Sequence, residues 1–124
     1  MTRHDKEKYE DIHRKAVVLL EKKGFENIKA DLEGFAQPKP YVRKETGVAT
    51  IPDIVAERNG QKYLFDLTLK TNQKSLLKTK IMFLKQLATI KNYHLRILTT
   101  RGHVKFSQEV TANTGLSPSA FMRV

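Results

Sequence analysis

Apolar residues recur at helical spacing near the start of the chain, and at alternate positions soon afterwards. The helical spacing predicts a first helix over residues 5–23, which Gly24 ends. The alternation over residues 25–35 predicts a strand with one polar face. Residues 38–50 contain two prolines and Gly47, so we predict a loop there.

Two apolar runs on either side of Asn59-Gly60 form the next pattern. The Asn-Gly pair favours the two-residue turn of a β-hairpin, because both of its residues adopt a positive φ readily. We therefore predict paired strands over residues 51–58 and 61–70.

A second helix and a further strand are predicted after the hairpin. Ser75 is a suitable cap for a helix whose apolar face carries Leu77, Ile81, Leu84 and Ala88. Residues 93–100 predict a short apolar strand, and residues 104–113 predict a last helix. The order is α, β, β, β, α, β, followed by a C-terminal addition. The second helix is long enough to be a crossover, which predicts a parallel, right-handed connection between the strands it joins.

Length and composition favour a single α/β domain. The 124 residues are enough for one core, which we place in residues 5–100, with a C-terminal extension over residues 101–124. The chain has no cysteine, so disulfides and thiolate zinc sites are excluded, and its four histidines show no ligand spacing. We therefore expect oxygen ligands for any metal. There is no signal-peptide pattern and no run of membrane-spanning length, which predicts a cytoplasmic protein with no membrane partner.

Positive charge is concentrated in the second half of the chain. Residues 1–66 contain 13 basic and 12 acidic residues, a net charge of +1, whereas residues 67–124 contain 10 basic residues and only Glu109, a net charge of +9. This distribution predicts a basic surface for a polyanion, with nucleic acid ahead of an anionic membrane. A solvated, lysine-rich helix face explains the same run equally well.

The predicted hairpin brings two carboxylates together. Asp53 and Asp66 belong to its two strands, and neighbouring carboxylates repel unless a cation lies between them. We therefore expect a divalent cation to bind between the two carboxylates. Because side chains alternate along a strand, Asp66, Thr68 and Lys70 share one face. A metal-binding edge beside a lysine is a frequent arrangement for cleaving phosphodiester bonds.

The order of elements, together with Asp53, Asp66 and Lys70, resembles the restriction-endonuclease-like PD-(D/E)XK nuclease superfamily. Within that superfamily, residues 19–25 and 52–56 look most like the small archaeal Holliday-junction resolvases. The resemblance implies an αβββαβ core with a four-stranded mixed sheet flanked by helices, to which this chain adds its short C-terminal extension. It also implies Mg²⁺ or Mn²⁺ as the cofactor and hydrolysis of DNA by a metal-activated water.

The functional residues of the superfamily match this chain unevenly. Asp53 and Asp66 match its two acids. Its lysine falls on Thr68, so Lys70, one strand repeat further along the same face, is the candidate for the catalytic role. The resemblance implies that the two acids and the Leu67 carbonyl hold the metal, while Lys70 stabilises the nucleophile and the developing negative charge.

The glutamate that the superfamily carries on its first helix has no direct counterpart. Its place is nearest to His13, which we interpret as a satisfied core histidine in preference to a ligand. Glu10, one turn earlier, is the candidate that completes the catalytic set. Gln86 matches an occasional glutamine of the superfamily, although a solvated side chain is the simpler interpretation. The candidate contacts to the DNA backbone are Arg43, Lys44, Lys74 and Lys78.

These features predict a metal-dependent endo- or exodeoxyribonuclease that recognises the DNA backbone or its structure more than its sequence. Two alternatives stay open. A catalytically degenerate module of the same fold would bind nucleic acid without metal, and Thr68 would mark the lost lysine. A structural α/β domain would have a solvated basic face and an Asp66 that never meets Asp53. The small members of the family are commonly dimers, so a homodimer is a possible assembly.

Overall fold

The first helix and the first strand lie close to their predicted positions. The structure is a computed structural model that describes residues 3–124, with the side chains of residues 8–124. Helix α1 spans Arg3–Lys22, and strand β1 spans Glu26–Ala30. Gly24 ends α1 with a φ of 86°, a conformation that glycine adopts without strain.

Strand β1 stops at Ala30, short of its predicted end. The Ala30 N–H donates to the Ala36 carbonyl at 2.9 Å, and Gly34 has a φ of 90°. Residues 31–35 therefore form a turn. The apolar residues in this stretch do not indicate a strand. Leu32 and Phe35 are apolar because both pack against the core from the turn.

The predicted loop contains a small hairpin. Strand β2, Tyr41–Val42, pairs antiparallel with strand β3, Ala49–Thr50. The turn between them is closed by the Gly47 N–H, which donates to the Arg43 carbonyl at 2.8 Å. Two-residue strands are too short to produce a visible alternation, which explains why the sequence predicts only a loop.

The predicted central hairpin is confirmed. Strand β4 spans Ile54–Arg58 and pairs antiparallel with strand β5, Gln61–Leu67. Asn59 and Gly60 have φ values of 55° and 75°, so both take the positive φ that a two-residue turn of this kind needs. Both strands are shorter than predicted, and β5 ends at Leu67 instead of residue 70.

The second helix, the next strand and the third helix follow in the predicted order. Helix α2 spans Lys74–Lys91, strand β6 spans His94–Thr99, and helix α3 spans Val104–Thr111. The predicted cap of α2 is wrong. The helix begins before Ser75, and Gln73 occupies the cap position without a side-chain hydrogen bond to the backbone.

The sheet has five strands, so the prediction of four is wrong. A 3₁₀ turn at Pro118–Ala120 leads into strand β7, Phe121–Arg123, and the strand order is β1-β4-β5-β6-β7. The parallel pairing of β5 with β6, which α2 connects, is confirmed. Residues 101–124 contribute α3 and a strand parallel to β6, so they are not an addition outside the sheet. Strand β7 covers an edge of β6 that would otherwise leave backbone groups unpaired.

The mixed sheet separates two apolar clusters. Helix α1 packs on one face with Phe65, whereas α2 and α3 pack on the other face with Leu64. These neighbours belong to different clusters because successive side chains of a strand point to opposite faces. By the same alternation, Asp66 points toward α2. No helix within residues 3–124 is long and apolar enough to cross a membrane.

Candidate functional site

Asp66 lies near the end of β5 and is fully buried, with 0% of its surface exposed. The Thr68 hydroxyl donates to its Oδ2 at 2.7 Å. Its Oδ1 lies 3.1 Å from Lys80 Nζ, but the two atoms are not aligned for a hydrogen bond, and Oδ1 accepts none from the described residues. Oδ1 of Asp66 is therefore a buried carboxylate oxygen that lies close to a positive charge but has no hydrogen-bond donor among these residues. Its lone pairs are available to another ligand.

Asp53 immediately precedes β4, and its side chain meets Asp66 from the neighbouring strand. The register of the hairpin pairs Ile54 with Phe65, which places the two aspartates opposite each other one residue further on. Asp53 Oδ2 accepts the Leu67 N–H at 2.7 Å. This bond fixes the carboxylate and satisfies a backbone donor where the ladder ends. The predicted convergence of the two carboxylates is thus present in the structure.

Lys80 lies between the two carboxylates. Its Nζ is 3.2 Å from Asp53 Oδ1 and 3.1 Å from Asp66 Oδ1. The side chain comes from the inner face of α2, and its ammonium is only partly accessible to solvent. Sequence reasoning missed this residue. The available signal was its spacing, because Lys80 is three residues after Leu77 and four before Leu84, on the apolar face of the helix.

Burial and the neighbouring charges shift the pKa values of the ionisable groups in the site. Burial, and then the Asp53 carboxylate, raise the pKa of Asp66 to about 6, although Lys80 and the Thr68 hydroxyl act in the opposite direction. Burial alone would lower the pKa of Lys80, but the two carboxylates outweigh it and raise that pKa. At neutral pH the site therefore holds two carboxylates and one ammonium, which leaves one negative charge.

Tyr9 completes the site from α1. Its hydroxyl donates to Asp53 Oδ1 at 3.3 Å. Burial, and then the nearby Asp53 and Asp66 charges, raise the pKa of Tyr9 far above its usual value. The phenol therefore stays protonated and acts as a hydrogen-bond donor that holds Asp53 in place.

Lys70, the predicted catalytic lysine, does not share the strand face of Asp66. The Leu69 N–H bonds to the Leu67 carbonyl at 3.1 Å, so the chain turns out of β5 before it reaches Lys70. Lys70 is exposed, and its backbone N–H donates to His103 Nδ1 at 2.8 Å. Within residues 8–124, the structure brings Lys80 and not Lys70 to the carboxylates.

Glu10, the predicted acid on α1, is exposed. The same helix instead buries His13, whose ring meets that of Tyr9 edge to face with centroids 5.7 Å apart. His13 is a core residue as predicted, but it is not satisfied, because its Nε2 has no hydrogen-bond partner in the described part of the chain. Burial lowers the pKa of His13, so the ring is neutral at physiological pH.

Two residues that the sequence singled out separately are joined in the structure. Arg43, from the turn after β2, donates from Nη2 to Gln86 Oε1 on α2 at 2.7 Å. Its guanidinium also lies over the ring of Phe83, 5.1 Å from the centroid. The small β2–β3 hairpin is thereby tied to α2 close to Lys80.

The other predicted contacts to the DNA backbone lie on the β2–β3 turn and on the first turns of α2. Lys44 is exposed on the β2–β3 turn, and Lys78 is half-buried on α2. Lys74, at the start of α2, forms an ion pair with Glu109 of α3 at 3.3 Å. Both partners of this pair are about half exposed, so it is weak and leaves Lys74 available to another anion.

The donor set fits a divalent cation of the Mg²⁺ type. Such ions are held in proteins by one or two carboxylates, and substrate phosphates and water fill their remaining positions. Asp53 Oδ1 and Asp66 Oδ1 converge on one point, and the buried oxygen of Asp66 accepts no hydrogen bond from the described residues. Three or more acidic or imidazole ligands are not gathered anywhere in residues 8–124. A cation here would thus have two protein carboxylates and would displace the ammonium of Lys80.

None of the protein-family models, curated proteins or solved structures compared with the chain matches it. What the chain can do chemically follows from Asp53, Asp66 and Lys80. Two neighbouring carboxylate oxygens, one of them buried, and a lysine ammonium on a flexible stem are suited to binding a cation and a phosphate side by side.

Proposed function

We propose that the chain is a metal-dependent nuclease that hydrolyses DNA phosphodiester bonds, on the restriction-endonuclease-like fold that its sequence resembles. The observation that carries the proposal is the position of Lys80 Nζ, within 3.2 Å of an oxygen of each aspartate. Two acids and one lysine are the groups that the resemblance implies, and here the lysine comes from α2 instead of β5.

In the proposed mechanism, Asp53 and Asp66 would hold Mg²⁺ or Mn²⁺. The bound ion would lower the pKa of a water molecule and polarise the phosphate. Thr68 and the Leu67 N–H keep the two carboxylates oriented through bonds of 2.7 Å each. The Tyr9 hydroxyl donates to Asp53 Oδ1, the oxygen that also faces Lys80, so little reorganisation is needed when the substrate binds.

Lys80 supplies the positive charge that the superfamily places on the strand. Its four-carbon stem is flexible, and its ammonium is a compact charge with three donors. With a divalent cation bound by the two carboxylates, the flexible side chain of Lys80 would turn its ammonium toward the phosphate. The ammonium would there neutralise the negative charge that develops on the phosphate oxygens during hydrolysis.

Recognition of the DNA backbone follows from the distribution of charge. The stretch from residue 67 to residue 108 contains no Asp or Glu, and α2 lies within it. Contacts between lysine or arginine and phosphate set affinity and register but carry no base information. We therefore propose a substrate preference that depends on DNA structure more than on sequence.

The test compares two lysines. Labelled linear, nicked and branched DNA is incubated with wild-type protein and with Asp66→Asn, Lys80→Met and Lys70→Met, in Mg²⁺, Mn²⁺ or EDTA. Cleavage should require the metal, should be lost in Asp66→Asn and Lys80→Met, and should persist in Lys70→Met. Circular dichroism establishes that each variant is folded at the assay temperature. Equal cleavage by wild type and Lys80→Met would overturn the proposed role of Lys80.

One observation favours a catalytically degenerate, nucleic-acid-binding module as the second candidate. Lys80 already places a positive charge between the two carboxylates, which reduces their repulsion without a metal. Mn²⁺ separates the two functions, because a ligand that binds only the folded state raises the melting temperature. The nuclease should gain thermal stability from Mn²⁺ and lose that gain in Asp53→Asn. A wild-type protein that binds DNA but neither cuts it nor gains stability from Mn²⁺ would be the binding module.

A further inference from the structure

A groove of about 830 Å³ lies between the β2–β3 hairpin and α2. Its lining combines two kinds of side chain. Apolar groups come mainly from α2, and Leu76 and Ile90 are 67% and 74% exposed although both are large hydrophobic residues. Val48 adds an exposed apolar group from the hairpin. Contiguous apolar surface of this kind usually marks a binding site.

The charged groups of the groove are all cations. Arg43, Lys80 and Lys85 line it, and its described lining includes neither Asp nor Glu. The guanidinium of Arg43 lies over the Phe83 ring, 5.1 Å from its centroid. A planar guanidinium can stack on aromatic rings, which includes the bases of a nucleic acid. The groove therefore offers apolar, stacking and cationic surface together.

Lys80 connects the groove to the two aspartates. Its side chain lines the groove, and its ammonium lies 3.1–3.2 Å from the two carboxylate oxygens. A ligand that extends along the groove would therefore arrive at the site through Lys80.

We propose that this groove binds an unpaired DNA strand and delivers it to Asp53 and Asp66. Duplex DNA presents phosphates outward and hides the faces of its bases, so it has little apolar surface to place against Leu76, Ile90 and the other apolar groups. An unpaired strand offers both chemistries at once, because its bases stack on apolar and planar groups while its phosphates follow the cations. This inference rests on the proposed function and names its substrate class: single-stranded DNA, or the unpaired segment of a branched molecule.

The test measures binding without cleavage. Fluorescence anisotropy in EDTA at fixed salt gives the Kd of the protein for a labelled single strand and for the duplex of the same sequence. Leu76→Ser and Ile90→Ser are the variants, because both side chains are highly exposed and neither change alters charge. Val18→Ser is the matched control, since Val18 is an exposed valine on α1 outside the groove.

Each groove variant should weaken single-strand binding roughly tenfold, the scale expected for losing the burial of one large aliphatic side chain, and change duplex binding less than twofold. The control should leave both affinities unchanged. Equal weakening of both DNA forms, or no weakening, would overturn the proposal. So would a sedimentation result in which the wild type is a dimer that Leu76→Ser dissociates while DNA affinity stays the same, because the groove would then be the interface between two copies.

Failure of the groove and failure of the nuclease give different results. Asp66→Asn should keep the preference for single strands while losing cleavage. A protein that prefers single strands through the groove but never cuts would refute the proposed activity and leave the groove assignment standing. A protein that cuts DNA but is indifferent to Leu76→Ser and Ile90→Ser would refute only the groove assignment.

Discussion

The two ends of β5 accommodate positive charge in opposite ways. At the Tyr63 end, Arg58 and Arg96 lie over the Tyr63 ring, 5.4 and 5.3 Å from its centroid. Arg58 also lies 4.3 Å from the centroid of Phe25. At the Asp66 end, a single lysine lies between two carboxylates. One strand thus carries a cation–aromatic cluster at its start and a buried ion cluster near its end.

The difference separates an end of the strand that stabilises the fold from the end that we propose as the functional site. Cations over rings keep one side in water, so their contacts are favourable and require little desolvation. The Asp66 carboxylate has no such contact with water, and burial raises its pKa to about 6. Ionisable groups whose pKa values are shifted by burial and by charged neighbours are typical of functional sites. The Asp66 end is therefore the part of the strand that is expected to be sensitive to substitution, metal and pH.

The largest expected effect comes from removing the cation at the Asp66 end. Lys80→Met keeps the apolar stem of the side chain but leaves the two carboxylates facing each other without a counter-charge. The free energy of unfolding at pH 8 should fall by about 3 kcal/mol, because breaking a buried ion pair leaves an uncompensated charge. The loss should be smaller at pH 5, where Asp66 can take up a proton. Urea unfolding in EDTA at both pH values measures it.

Lys74→Met is the matched control on the same helix. Lys74 also forms an ion pair, with Glu109 at 3.3 Å, but both side chains are about half exposed. An exposed pair of this kind contributes no more than about 1 kcal/mol. If Lys80→Met and Lys74→Met lowered the free energy of unfolding equally, the ion pairs of Lys80 would contribute no more to stability than an exposed ion pair does.

The contrast between Lys70 and Lys80 also shows what the sequence can and cannot predict. The convergence of Asp53 and Asp66 was predictable because it depends on a local turn, Asn59-Gly60, and on the alternation of side chains along paired strands. The end of β5 was not, because it depends on the Leu69 N–H turning back to the Leu67 carbonyl. An error of a few residues at the strand end was enough to select the wrong lysine.

The fifth strand was missed for a related reason. Phe121–Arg123 is too short for its alternation to be recognised, and its place beside β6 is set by pairing between distant parts of the chain. Lys80 was visible in the sequence as a lysine on an apolar helix face. Its partner could be identified only after α2 was placed over Asp66, since periodicity gives the face of a helix but not what that face meets.

The second expected effect is a pH dependence confined to the Asp66 end. The pKa of Asp66 is about 6 in the folded state, whereas its ordinary value is 3.8. Below pH 3.8 the carboxyl is protonated in both states. Between pH 4 and 6 the unfolded chain has released the proton that the folded chain keeps, so stability falls as the pH rises. The total fall should be on the order of 2–3 kcal/mol, and Asp66→Asn should lack it.

The measurement is the difference between the urea unfolding free energies of wild type and Asp66→Asn, from pH 4 to pH 8 in EDTA. Two other groups do not disturb it. The lowered pKa of His13 gives stability that is lost as the pH falls below 6.5, and this contribution is present in both proteins and cancels. The raised pKa of Lys80 acts only above about pH 10. Parallel curves over the whole range would contradict the buried, protonatable state of Asp66.

The smallest expected effect is at the other end of the strand. Arg58→Met removes a guanidinium from the rings of Phe25 and Tyr63 but keeps a flexible apolar side chain in its place. Unfolding free energy should fall by about 0.5–1 kcal/mol, the scale of a partly exposed cation–π contact. The Mn²⁺-induced rise in melting temperature and the cleavage of DNA should be unchanged, because Arg58 lies at the opposite end of β5 from the carboxylates.

Arg101→Met, at an exposed arginine outside these stacks, should change none of the three quantities. If Arg58→Met instead abolished the Mn²⁺ effect while the protein stayed folded, the two ends of the strand would be coupled, and the division of the strand into a stabilising end and a chemical end would be wrong.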